Sequence, residues 1–141
     1  MNFGRWWQGS ALGDWHGSPA PTRGGPINGF TTTETWHGRV VVVSASGSID
    51  TESAPRLYGA AAVAVQKKPT GFVFDFTDVD LLASAGMQVL VTTMRMLGPT
   101  VGYAVVADGP GTSQPLSVAG IDDLVDVVTS LDEALRRVGA A

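Results

Sequence analysis

Between Gly71 and Gly98 the apolar positions follow two different rhythms, separated by a stretch that follows neither. Phe72-Val73-Phe74-Asp75-Phe76 is a short apolar run, aromatic and β-branched, and predicts a buried strand. Met87, Leu90, Val91, Met94 and Leu97 recur three and four apart, as on the buried face of a helix. Gly98 and Pro99 then stop that helix. From Asp78 to Gly86 no helical period starts until Ser84, so the segment reads as a loop. The Ser84 hydroxyl suits a helix N-cap, and Gly86 leaves the first turn bare for a close neighbour. Strand, loop and helix N-terminus together fall at the carboxyl edge of a sheet, where α/β proteins place their sites.

The rest of the chain supports that frame. Phe30 to Trp36 and Arg39 to Ser44 read as two strands joined at His37-Gly38. Ala45 to Thr51 reads as a loop. A helix is expected from Thr51 or Ser53, with Pro55 in its first turn and Leu57, Ala61 and Ala64 or Val65 buried, ending at Lys67-Lys68-Pro69. Val101 to Ala107 predicts another buried strand. A turn over Asp108 to Ser113 leads into a short helix with Pro115 near its start and Gly120 past its end. Leu124 to Val128 reads as a last strand. Ser130 to Glu133 has the Ser-x-x-Glu form of a capping box before a helix striped with Leu131, Leu135 and Val138. Strands alternating with helices predict an α/β domain with a mixed, mostly parallel sheet of about five strands and about four helices.

Residues 1–27 differ from all of this. They are rich in Gly, Ser and Pro, carry Trp6, Trp7 and Trp15, and show no period of 2 or 3.6. The boundary expected from the sequence is a flexible tail over 1–27 and one domain over 28–141.

Composition narrows the chemistry. The 141 residues and 44% hydrophobic content fit one core, and a net charge of −4 argues against a nucleic-acid backbone as partner. The absence of Cys removes disulfides, thiolate catalysis and Cys-ligated zinc. His16 and His37 share no metal-ligand spacing. No membrane span or secretory start is read in the chain, so the expected location is the cytoplasm.

Asp75, Asp78 and Asp80 gather near the end of the central strand and could hold Mg²⁺, but no Lys follows Lys68 to complete a phosphoryl-accepting site. Gly109-Pro110-Gly111-Thr112-Ser113 before a helix could cradle a phosphate, yet lacks the Gly-Lys-Ser/Thr ending of a P-loop. No catalytic, cofactor or metal site is assigned, and no enzymatic activity is expected. What stands out is one hydroxyl, Ser84, set among Leu81, Leu82, Ala83, Ala85 and Met87, as on a protein-binding surface that a single charge could spoil.

At these residues the chain resembles a STAS domain of the anti-sigma factor antagonist (anti-anti-sigma factor) family. Val43 to Asp50 is similar to the family's Gly-x-[Leu/Ile]-Asp loop after the second strand. Phe72 to Met87 is similar, without a gap, to its strand, loop and Asp-Ser-Ser/Thr-Gly-Leu motif. Ala119 to Leu124 is similar to the Ser-Gly-Leu segment before the last strand.

The resemblance covers residues 30 to 138. It implies a domain that regulates sigma-factor-dependent transcription by binding an anti-sigma factor, usually a serine kinase of the histidine-kinase-like ATPase type. In the family that kinase phosphorylates the Ser or Thr just before the motif's Gly. Here that position is Ala85, the motif's Asp is Ala83, and Ser84 is the remaining candidate phosphoacceptor. The resemblance therefore implies partner contacts at Asp50, Thr51, Leu82, Ala83, Ser84, Ala85, Gly86 and Met87, with or without a phospho-switch. The alternatives are a small-ligand- or nucleotide-binding STAS module, and a scaffold subunit of a transport or regulatory complex.

Overall fold

The computed structural model describes residues 29–139. The stretch 1–27, with its tryptophans and His16, lies outside the described residues. Five strands form one sheet in the order β1-β2-β3-β4-β5: β1 is Thr31–His37, β2 Val40–Ile49, β3 Gly71–Leu82, β4 Gly102–Val106 and β5 Asp126–Val128. The helices are α1 Ala54–Gln66, α2 Ser84–Leu97, α3 Pro110–Val118 and α4 Leu131–Arg137, with a 3₁₀ turn at Ile121–Asp123. β1 runs antiparallel to β2, and every other neighbouring pair is parallel. The expected mixed sheet is thus observed in strand count and direction.

Alternation along the strands sends residues to two cores. Val41, Val43, Phe72, Phe74 and Phe76 face α1 and α2, where Leu57, Ala61, Ala64, Val89 and Leu90 pack on them. Val40, Val42, Val73, Ala104 and Val106 face α4, which closes the other side with Ala134 and Val138. Phe72, Phe74 and Tyr103 meet edge to face, with ring centroids 4.9–6.2 Å apart. The Tyr103 hydroxyl donates to the Leu90 carbonyl at 2.8 Å, tying β4 to α2. Burial pushes the Tyr103 phenol well above its ordinary pKa. Ser130 caps α4 as expected, its Oγ accepting from the Glu133 N–H at 3.2 Å.

Three expectations are corrected. The loops read at Ala45–Thr51 and Asp78–Gly86 are mostly strand, since β2 runs to Ile49 and β3 to Leu82. The pairing explains why. Between Ser44–Asp75 and Ser46–Asp78, and again between Gly47–Val79 and Ser48–Leu81, β3 takes one residue more than β2. Each extra residue is a bulge that turns the strand and breaks its two-residue alternation. The buried positions Phe76, Val79 and Leu82 consequently fall three apart. Second, Pro115 sits well inside α3 rather than near its start. Third, β5 begins at Asp126, and Leu124 is 54% exposed.

Candidate functional site

The two bulges carry β2 and β3 beyond the end of β4. Ile49 pairs with Leu82, and the Ala83 N–H donates to the Ile49 carbonyl at 2.8 Å. The turn after β2 and the N-terminus of α2 are thereby held side by side at the carboxyl edge of the sheet.

Asp50 organises the first of these. Its Oδ1 accepts from the Glu52 and Ser53 backbone N–H groups, both at 3.0 Å. The Ser53 hydroxyl, buried, donates to the Ser48 carbonyl at 2.8 Å and accepts from the Asp50 N–H at 2.9 Å. The Ser53 and Glu52 N–H bonds hold the Asp50 carboxyl below its ordinary pKa against some desolvation. An ionised Asp50 therefore fixes the turn that presents exposed Thr51 and Glu52.

At α2 the expected Ser84 cap is corrected: the N-cap is Ala83, extended at φ −90°, ψ 173°, and Ser84 is the first helical residue. Ser84 is exposed, whereas Ala83, Ala85 and Met87 are half-buried, the last two leaning on the core. Leu82 and Gly86 face inward. Leu82 is 2% exposed, and a Cβ built on Gly86 would stand 2.5 Å from Ile49 Cγ2 and 2.6 Å from Leu82 Cδ1. The close neighbour that Gly86 admits is therefore its own core, which corrects its expected place as a surface contact. Leu82 and Gly86 support the surface from beneath, while Asp50, Thr51, Ala83, Ser84, Ala85 and Met87 reach it to differing degrees.

Two parts of this edge stand outside the contact residues expected from the sequence, although Leu81 is noted there as a neighbour of Ser84. Leu81, 51% exposed, is the large apolar side chain that β3 presents beside α2. The double leucine was visible, but only the bulge decides which of the pair points out. The second is the start of α3, where Gly111 lies against the Asp80 carbonyl so closely that a Cβ would overlap it. That contact brings Asp108–Gly111 up as a third wall.

The edge is electrostatically one-sided. Asp50 and Glu52 follow β2, Asp78 and Asp80 end β3, and Asp108 follows β4. Arg56, in the first turn of α1, lies toward this edge and is drawn over the Phe30 ring at 5.7 Å. Arg39, Lys67, Lys68, Arg95, Arg136 and Arg137 cluster toward the opposite ends of the strands and helices.

The two chemical rivals fare differently from this surface. In the Gly109–Ser113 turn, the Thr112 and Ser113 N–H groups and both hydroxyls bond the Gly109 carbonyl at 2.9–3.1 Å, and Pro110 has no N–H. These four donors, which a bound phosphate would draw on, are already engaged. Asp75 accepts from the Thr77 N–H and hydroxyl, and among the described residues no group of three acidic or imidazole side chains could hold a metal ion. Among them, too, no helix is long and apolar enough to cross a membrane.

Comparison with known proteins agrees with this geometry. The STAS domain model matches residues 34–134. The anti-sigma-F factor antagonist RsfB of Mycobacterium tuberculosis is 34% identical over 109 residues, 77% of this chain and 89% of that protein. An anti-sigma factor antagonist from Mycobacterium paratuberculosis superposes with a TM-score of 0.77 at 37% identity, over 80% of this chain and 97% of that one. SpoIIAA of Bacillus in its unphosphorylated form shares the fold at 18% identity, with a TM-score of 0.63 over 77% of this chain and 96% of its own. The chain belongs to the STAS domain family.

Proposed function

We propose that this protein is an anti-sigma factor antagonist, which binds an anti-sigma factor at the carboxyl edge of the β2–β3 ribbon and so frees a sigma factor for transcription. The observation that carries the proposal is the joining of the Asp50 turn to the α2 N-terminus by Ile49–Leu82 pairing, with Leu81 exposed alongside. Two segments distant in sequence form one surface there, apolar at its centre and acidic around it. The protein acts by binding rather than catalysis, in the cytoplasm, and its partner is a serine kinase of the histidine-kinase-like ATPase type. Ser84 is the residue this kinase would modify, because it is exposed at the first position of α2 while Ala85 has no hydroxyl.

The test uses the full chain. Added to a purified complex of the sigma factor and anti-sigma factor from the same cell, it is expected to release the sigma factor and restore promoter-dependent transcription. No release at a several-fold excess, from any such complex of that cell, overturns the proposal. Incubation of the anti-sigma factor with ATP and the chain, followed by mass spectrometry, locates phosphate on Ser84 or refutes that assignment.

A further inference from the structure

We propose that the free edge of β1 pairs with β1 of a second copy, joining two chains antiparallel into one ten-stranded sheet. Among the described residues β1 is bonded on one side only, to β2, so alternate residues along Thr31–His37 turn their N–H and C=O groups outward. Natural proteins guard such an edge with Lys, Pro, a bulge or a very short strand. β1 has none of these. It is seven residues long, contains no Lys, Arg or Pro, and pairs with β2 from Thr31–Ser46 to His37–Val40 without a shift in register. The opposite edge, β5, has three residues.

The side chains fit a second copy. Thr31, Thr32, Thr33 and Thr35 are exposed β-branched residues, which pair well across strands. The strand's one carboxylate is already engaged: Glu34 accepts from Lys67 Nζ and Trp36 Nε1, both at 2.8 Å. Burial works to raise the Glu34 pKa, but these bonds and the Lys67 charge hold it below the ordinary value. Two copies crossing at this strand therefore bring together paired charges rather than bare like ones. An antiparallel strand meeting itself about a two-fold axis forms a closed dimer and no fibre. Seven residues a side fall short of the ~1,200–2,000 Å² of a standard interface, so the dimer is weak and concentration-dependent. Antiparallel pairing also points the two carboxyl edges in opposite directions and leaves both open, making the assembly bivalent.

Sedimentation velocity of the full chain from roughly 10 µM to 1 mM tests this, with amide hydrogen exchange at both ends of that range. The sedimentation coefficient is expected to rise toward that of a dimer, while alternate β1 amides exchange more slowly at high concentration. Thr33→Lys and Thr35→Lys sit on exposed positions and place like charges at the junction. Each is expected to weaken association at least tenfold with its thermal melt unchanged. A chain that stays monomeric throughout overturns the proposal, whether its β1 amides are open or protected at every concentration. So does a dimer that both substitutions leave intact.

Discussion

Gly86→Ala tests whether the α2 N-terminus is built as described. The added Cβ would lie 2.5 Å from Ile49 Cγ2, 2.6 Å from Leu82 Cδ1 and 3.3 Å from Ile49 Cβ. Relief has to come from two side chains of unequal freedom. Ile49 is β-branched, fully buried and fixed on β2, so its methyl cannot rotate away cheaply. Leu82 ends in a mobile methyl, but it is 2% exposed and any turn drives it into packed neighbours. Against this stands the helix preference for Ala over Gly, worth roughly 0.5–1 kcal/mol in a helix interior and less in a first turn. Overpacking of a filled site costs about 1–3 kcal/mol. The clash is the larger effect, for a net loss of roughly 1–2 kcal/mol. At this chain length each kcal/mol moves the midpoint by about 4 °C, so thermal unfolding followed by circular dichroism should show a drop of about 4–8 °C. Gly86→Leu, four heavy atoms larger than glycine, should lose the cooperative transition. A Gly86→Ala protein as stable as the parent, or more so, would refute the packing described and return Gly86 to the surface.

Asp50→Ala is expected to lower stability at neutral pH. The Asp50 pKa is depressed in the folded chain, so its contribution is present above the unfolded-state value of about 3.9 and fades as pH falls through the folded value. Melts of parent and variant should therefore converge in acid, and a gap of constant size would refute the capping role. Leu81→Ala removes a half-exposed side chain; stability should change by less than about 0.5 kcal/mol, while binding of the anti-sigma factor, read by titration calorimetry, weakens at least tenfold. Because the carboxylates near this edge outnumber its cations, stopped-flow association with that factor should slow as NaCl rises from 50 to 500 mM. A salt-independent rate would place the contact elsewhere. Tyr103→Phe removes the bond to the Leu90 carbonyl and should cost about 0.5–1.5 kcal/mol in urea unfolding.

The parts of the fold that were legible are those where periodicity was intact. Phe72 to Phe76 alternates between two cores as expected. α2 is in place, but of its expected face only Leu90 is buried, together with Gly86, Val89 and Thr93, while Met87, Val91, Met94 and Leu97 lie half-buried beside them. The site was legible in position but not in detail, because β3 stops alternating where the site begins. With an extra residue on each side of Val79, burial recurs every third residue, a rhythm belonging to neither strand nor helix. The same bulges decide that Leu82 turns in and Leu81 out, which two adjacent leucines cannot declare by themselves. Gly86 and Gly111 illustrate a related blindness. Both read as open positions, one for a contacting molecule and one for a phosphate, and both are filled by the chain's own atoms: side chains at Gly86, the Asp80 carbonyl at Gly111.

The position of Ser84 bears on how a switch at this surface could work without disturbing the fold. A phosphate carries roughly −1.5 to −2 charges. At the first residue of α2 it would meet the positive end of the helix dipole, where negative charge is stabilised by about 0.3–1 kcal/mol. The Ser84 side chain is exposed, so no core contact is lost. Ala85, one residue on, leans against the core, and a charge introduced there has to be desolvated or drag its helix turn outward. The two adjacent positions thus differ in where a charge is felt. At Ser84 the fold accommodates it and only a partner seated over Leu81 and Ala83 opposes it. At Ala85 the fold itself opposes it. A modification that must abolish binding and leave the domain folded and ready to be restored is better served by Ser84, and this is the physical ground for assigning it there.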